Sequence, residues 1–273
     1  MSKQPSRILR IPEIQGKKER GEQIVMLTAY SSWMARILDE SGGIDMLLVG
    51  DSLGMVEMGF ETTIPVTLDD MVRHTRAVRN GAPRAFIVAD LPFLSYQPSK
   101  TQALRGAARL MQEGGASAVK LEGGTALRKT VRRLVDAGIP VMGHLGLLPQ
   151  SLHQQGGYRQ QAKSPEEQEQ LLRDAAALEQ AGAFSIVLES IPADLAAKVA
   201  KACRVPVIGI GAGPACDGQV LVTNDILGLS GGRIPGFAKR YADLSEVVRA
   251  AAQSFSAEVR GGTFPPGEEA GNA

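Results

Sequence analysis

The stretch Leu47-Leu48-Val49-Gly50-Asp51-Ser52-Leu53-Gly54 decides the fold. An apolar run that stops at a carboxylate, a hydroxyl and two glycines reads as a buried strand leading into a tight turn. Asp51 then stands at the carboxyl end of its strand, where parallel α/β folds gather their ligands. The pattern returns as Phe86-Ile87-Val88-Ala89-Asp90, Ala118-Val119-Lys120-Leu121-Glu122 and Ser185-Ile186-Val187-Leu188-Glu189. Four strands that all end in an acid suggest one shared site.

Further strands are predicted over Gln23 to Ala29, Pro140 to His144, Val205 to Ile210 and Gln219 to Thr223. Helical patterns separate them. Ser31 or Ser32, Thr67 and Ser99 offer caps, and Ser164-Pro165-Glu166-Glu167 joins a cap to proline at the first helical position and early acids. A last helix is predicted over Leu244 to Phe255. Strands alternating with helices of this length imply right-handed crossovers and a parallel sheet. Eight such units favour closure into a (β/α)8 barrel, an α/β fold, over an open doubly wound sheet.

The chain has 273 residues, and such barrels run to about 250 residues as one domain. The expectation is an arm over 1–20, one barrel domain over 21–256 and a disordered tail over 257–273. The arm reads as basic and loosely held. With 30 basic and 29 acidic residues and no long single-sign run, no nucleic acid or membrane surface is indicated as a partner. The two cysteines, Cys203 and Cys216, fit a reduced compartment better than a disulfide framework. Met1 to Arg20 lacks a secretory apolar core, and no membrane-length apolar run occurs, so a cytoplasmic location is expected. Pro149 to Lys163, rich in Gln and Gly, reads as a structureless connection and a candidate lid.

Alternate residues of a strand face the same way, so Lys120 and Glu122 point together into the rim, beside Asp51 and Asp90. Three acids on neighbouring strand ends repel one another unless a cation lies between them. Oxygen ligands without His or Cys point to a hard ion, Mg²⁺ first, with positions left for water and substrate. The bland alternatives are turn-capping acids and a Lys120–Glu122 rim ion pair. Glu189, farther round the rim, reads as a general base or acid, or else a salt-bridge partner. His144 can donate to a substrate or be a satisfied rim histidine. Gly209 to Gly213 reads as a phosphate cradle or a tight turn.

Val49 to Met55, Ala89 to Phe93, Val119 to Gly124 and Gly143-His144-Leu145-Gly146-Leu147-Leu148-Pro149-Gln150 together resemble the ketopantoate hydroxymethyltransferase family. The likeness continues through Val66 to Met71 and Gly209 to Leu229 and covers roughly residues 5–255. It implies a (β/α)8 TIM barrel of the phosphoenolpyruvate/pyruvate type, active in pantothenate synthesis. It implies Mg²⁺-dependent transfer of a one-carbon unit from 5,10-methylenetetrahydrofolate to 3-methyl-2-oxobutanoate through an enolate, giving 2-dehydropantoate and tetrahydrofolate. By motif, Asp51, Asp90 and Glu122 match the family's metal positions; Asp51, Ser52, Asp90, Lys120 and His144 match substrate contacts; Glu189 matches the proton acceptor. A homo-oligomer, often a decamer, is implied as well. The chain departs from the family pattern at Ser31, at Thr223-Asn224-Asp225, which lacks a His, and at Gly236, where Lys is usual. A carbon-carbon lyase of the isocitrate lyase kind would use a similar barrel and metal but supplies a cysteine-bearing loop that neither Cys203 nor Cys216 provides. A catalytically silent assembly subunit would have no need of the intact acid and lysine set.

Overall fold

The computed structural model describes residues 9–231 and 235–266. Two compact units divide at Val222. In the first, eight parallel strands close into a barrel in sequence order: β1 (Ile24–Thr28), β2 (Met46–Val49), β3 (Phe86–Asp90), β4 (Ala118–Glu122), β5 (Val141–Gly146), β6 (Ser185–Glu189), β7 (Val207–Ile210) and β8 (Gly218–Leu221). The connecting helices are α2 (Ser32–Ser41), α3 (Leu53–Val56), α4 (Leu68–Gly81), α5 (Lys100–Gln112), α6 (Arg128–Asp136), α7 (Leu152–Gln155), α8 (Pro165–Ala181) and α9 (Ala193–Ala202), and α1 (Ile11–Glu19) precedes β1. The closed eight-stranded barrel answers the expectation drawn from the strand count. Among the described residues, no helix is long and apolar enough to cross a membrane.

The predicted helix starts are where their chemistry places them. Thr67 and Asp70 form a reciprocal capping box at the start of α4, and Ser164 and Glu167 do the same for α8, with Pro165 in its first turn. Ser31 caps α2 and Ser99 caps α5. Each such cap contributes about 1 kcal/mol to its helix.

Strand alternation sorts the barrel interior into layers. Ile24, Met26, Met46, Leu48, Phe86, Val88, Ala118, Met142, Ile208 and Val220 form one buried cluster. Two residues further along each strand, the same inward parity reaches Asp90 on β3, Lys120 and Glu122 on β4 and His144 on β5. The polar site is therefore the layer above an apolar floor.

Residues 9–20 of the arm are not loosely held; residues 1–8 lie outside the described residues. Ile14 on α1 is fully buried within the barrel's own cluster, with Leu9 and Ile11 packed against it. Lys18 donates to the carbonyls of Ala200 and Val205 and to Asp217 at 2.7, 3.2 and 2.8 Å. Apolar side chains at residues 9, 11 and 14 find a partner because a barrel has an open end to be filled. The connection after β5 differs too: Pro149–Ser151 forms a 3-10 turn and α7 follows, so it is not structureless.

The second unit holds α10 (Thr223–Leu227) and α11 (Leu244–Arg260), and the Tyr241 N–H donates to the Ile226 carbonyl at 2.8 Å. The disorder predicted from residue 257 does not hold for Ala257 to Arg260, which continue the helix, or for Gly261, which ends it. Residues 267–273 of that tail lie outside the described residues.

Candidate active site

The first site residue follows a turn where a glycine leaves room for its neighbours. A Cβ on Gly50 would lie 2.8 Å from Ser52 Oγ and 3.6 Å from Asp90 Oδ2, so the chain passes between these groups. Here β2 ends, the Asp51 N–H donates to Asp90 Oδ2 at 3.1 Å, and Ser52 turns towards β1, where its hydroxyl is 2.8 Å from that of buried Tyr30. The turn thereby places two predicted residues beside a third.

Register does the rest. Asp90 pairs with Lys120 across β3 and β4, Glu122 with His144 across β4 and β5, and Gly146 with Glu189 across β5 and β6. Lys120 Nζ lies 3.0 Å from Asp90 Oδ1, with both side chains about 95 % removed from solvent, and 3.2 Å from His144 Nδ1. On its other side His144 Nε2 stands 3.2 Å from Glu189 Oε2. An ammonium can only donate, so His144 Nδ1 accepts and the imidazole hydrogen resides on Nε2, facing Glu189. Burial, and then the Lys120 charge, lower the His144 pKa, which agrees with a neutral ring.

Glu189 is therefore not isolated across the rim, as its strand number suggests. One histidine links it to the Lys120 side. Gly146 permits this closeness: a Cβ there would fall 2.2 Å from the Glu189 carbonyl.

The carboxylates on the opposite side are buried and short of partners. Burial, then Asp90, pushes the Asp51 carboxyl up to about 7. Burial, then Asp51, holds Glu122 well above the usual carboxylate range. For Lys120 burial opposes the charge, but Asp90, Glu122 and Asp51 outweigh it and raise the pKa, so it remains an ammonium. Glu122 Oε1 has no hydrogen-bond partner and lies 3.6 Å from His144 Nδ1. Asp90 Oδ1 and His144 Nε2 have ion-pair neighbours at 3.0 and 3.2 Å, but the angles do not make hydrogen bonds. Among the described residues, no group of three or more Asp, Glu, His or Cys side chains is already gathered closely enough to hold a metal ion.

Three contributors escaped the sequence reading. Tyr30, Tyr96 and Gln150 are all buried at the rim. Tyr96 Oη donates to Gln150 Oε1 at 2.8 Å and accepts from the Glu122 N–H at 3.1 Å; Gln150 reaches both Asp51 and Glu122. None carries a charge, so nothing marked them beyond their positions just after strand ends. Beyond Gln150, Tyr158 Oη lies 3.2 Å from Met55 Sδ, and the Gln161 N–H donates to the Ser190 carbonyl at 2.9 Å. Gly209 to Gly213 forms the turn leaving β7, where Gln219 Nε2 donates to the Gly213 carbonyl at 3.0 Å.

Comparison with known proteins decides the lineage. Residues 8–267 match the family profile described as ketopantoate hydroxymethyltransferase. The chain belongs to that family. It is 56% identical over 258 residues to 3-methyl-2-oxobutanoate hydroxymethyltransferase of Moorella thermoacetica, covering 94% of this chain and 96% of the relative. The same-named protein of Thermosynechococcus vestitus is 53% identical over 260 residues, covering 95% and 99%. As a ketopantoate hydroxymethyltransferase family member the chain is a transferase-type enzyme, and that activity fits pantothenate biosynthesis. Among solved structures, 2,3-dimethylmalate lyase of the PEP mutase/isocitrate lyase superfamily shares its barrel, with TM-score 0.60 at 18% identity over 95% of this chain and 90% of the lyase. A phosphonopyruvate hydrolase complex with oxalate and Mg²⁺ also matches at TM-score 0.60, 15% identical over 96% of this chain and 91% of the hydrolase. At such identity these two share the fold alone.

Proposed function

We propose that this chain transfers a hydroxymethyl unit from 5,10-methylenetetrahydrofolate to 3-methyl-2-oxobutanoate, giving 2-dehydropantoate and tetrahydrofolate. The observation that carries the reading is the run of polar groups from buried Asp90 through buried Lys120 and His144 to part-buried Glu189, over an apolar floor. A 2-oxo acid needs an electropositive group for its oxygens and a base for the proton at C3. The run provides both, at opposite ends.

The donor set fits Mg²⁺. Burial, and then repulsion from a neighbouring carboxylate, push Asp51 and Glu122 towards their protonated forms, a cost that a bound cation would relieve, and Glu122 Oε1 is unpartnered. We assign Asp51, Asp90 and Glu122 as the residues that would hold the metal, their oxygens suiting a hard divalent ion. Bound there, Mg²⁺ supplies Lewis-acid polarisation of the 2-oxo group worth several kcal/mol. Lys120 adds a full charge at the same oxygens, and the Ser52 hydroxyl, steadied by Tyr30, adds a hydrogen bond. Glu189 accepts the proton from C3, and the resulting carbon nucleophile bonds to the one-carbon unit while its two bonds to the folate nitrogens break; water supplies the hydroxyl oxygen, and the two nitrogens take up the C3 proton and the remaining proton of that water. His144 Nε2 lies 3.2 Å from Glu189 Oε2 and attracts that carboxylate electrostatically, and we assign the ring to the substrate edge.

Two further readings accompany this one. Trp33 and Ile37, one helical turn apart on α2, are each more than half exposed, which supports a homo-oligomer. Cys203 and Cys216 are free, with thiols raised to about 11 by burial, which supports work in the reducing cytoplasm.

Proton exchange at C3 of 3-methyl-2-oxobutanoate in D₂O, followed by NMR, tests the central claim. Exchange that requires Mg²⁺ is the expected result, with net product formation appearing only when the folate is added. No exchange with any divalent ion present would refute it.

A further inference from the structure

The geometry points to Gln150 as the residue that positions the proposed metal carboxylates; this rests on the reading of the site given above. Gln150 enters the barrel mouth from the turn after β5 and is 4 % exposed. Its Nε2 donates to Asp51 Oδ2 at 2.8 Å and to the Leu91 carbonyl at 2.9 Å. A carbonyl cannot donate, so the Leu91 contact fixes which end of the amide is nitrogen. Oε1 then faces Tyr96 Oη at 2.8 Å and Gln97 Nε2 at 3.2 Å. Both amide hydrogens are used, and the side chain has one orientation.

The backbone N–H of Gln150 adds a second arm, donating to Glu122 Oε2 at 3.0 Å. One residue thus holds one oxygen of each of two carboxylates, one in the turn after β2 and one at the end of β4, which are not neighbouring strands. The held oxygens are Asp51 Oδ2 and Glu122 Oε2. Of the two oxygens left over, Glu122 Oε1 is buried and has no hydrogen bond. A neutral donor is well suited here, because it fixes the carboxylates without supplying the positive charge that would compete with a cation. Tyr96 closes the frame, since its hydroxyl touches both Gln150 Oε1 and the Glu122 backbone N–H.

The backbone arm survives any substitution at 150, whereas the Asp51 arm does not. Gln150→Met keeps the bulk and removes the amide. Tyr96→Phe leaves Gln150 in place but removes the group that orients it. Mn²⁺, which takes the same oxygen ligands as Mg²⁺, is titrated into the substrate-free protein and followed by electron paramagnetic resonance. Outer-sphere partners of ligands typically contribute about 10–100-fold to metal affinity. Gln150→Met is expected to weaken Mn²⁺ by that range and Tyr96→Phe by severalfold, with C3 exchange largely restored at saturating metal. A purely structural role would instead lower the folded fraction and leave affinity per folded molecule unchanged. Should Gln150→Met not fold, Tyr96→Phe decides alone. Wild-type affinity in the folded variant overturns the positioning role, whereas wild-type protein that takes up no Mn²⁺ overturns the metal assignment beneath it.

Discussion

The two ends of the barrel are built from the same eight strands and treat polar groups in opposite ways. At the amino end Ile14 plugs the opening, and Lys18, the charge beside it, makes three contacts of 3.2 Å or less. At the carboxyl end, Asp51, Asp90, Lys120, Glu122 and His144 are buried together, and three of their polar atoms lack a hydrogen bond. Isolated buried charges are costly, so a fold that can satisfy one rim and leaves the other under-satisfied marks the second as the place for a ligand. Stability belongs to the closed end and chemistry to the open one.

That division can be broken at either end. Glu189→Gln should have the largest effect, slowing C3 exchange by about 10²–10⁴-fold while leaving the melting temperature near that of wild type. Exchange at an undiminished rate would remove Glu189 from the base role. Ile14→Ala should do the reverse. It is expected to cost about 2–5 kcal/mol in denaturant unfolding with exchange per folded molecule preserved; a catalytic defect without a stability loss would mean that the ends are not separate.

A pH series sharpens the contrast. The Asp51 carboxyl is raised from 3.8 to about 7, so between those values the metal-free folded state holds a proton that the unfolded chain releases. Stability must then fall as pH rises through that window and level off above it. Thermal unfolding in chelator should show this decline, and Asp51→Asn should flatten it; parallel curves for the two proteins would exclude Asp51 as its source. The smallest effect lies away from both ends. Thr67→Ala, which removes half of the α4 capping box, should cost about 1 kcal/mol and leave exchange unchanged, a result readable from one unfolding curve and one rate.

Legibility in the sequence followed charge and periodicity. Asp51, Asp90, Lys120, Glu122 and Glu189 could be read because an acid or lysine at the end of an apolar strand is conspicuous, and inward parity follows from alternation. Thr67 and Ser164 were readable because capping is local. Gln150, Tyr96 and Tyr30 were not, since neutral side chains gain meaning only from the partners a closed barrel brings them. Helix α1 was hidden for a related reason: Ile11-Pro12-Glu13-Ile14-Gln15-Gly16-Lys17-Lys18-Glu19 has two apolar residues and an internal glycine. What buries Ile14 is the opening beneath the barrel, which no local window contains. The helix beyond Phe255 was obscured by the Gly- and Pro-rich residues that follow it.

The ring is sealed by its first and last strands, with Ile24 of β1 paired to Gly218 of β8. In the order of synthesis, Asp51, Asp90, Lys120, Glu122, His144 and Glu189 all leave the ribosome before the strand that completes the floor beneath them. A nascent chain stopped short of Gly218 would carry that whole set of reactive groups and still have no enclosed chamber in which to use them. Contacts so distant along the chain form late, so the enclosed chamber arrives as one of the final events of folding and is withheld from every incomplete chain.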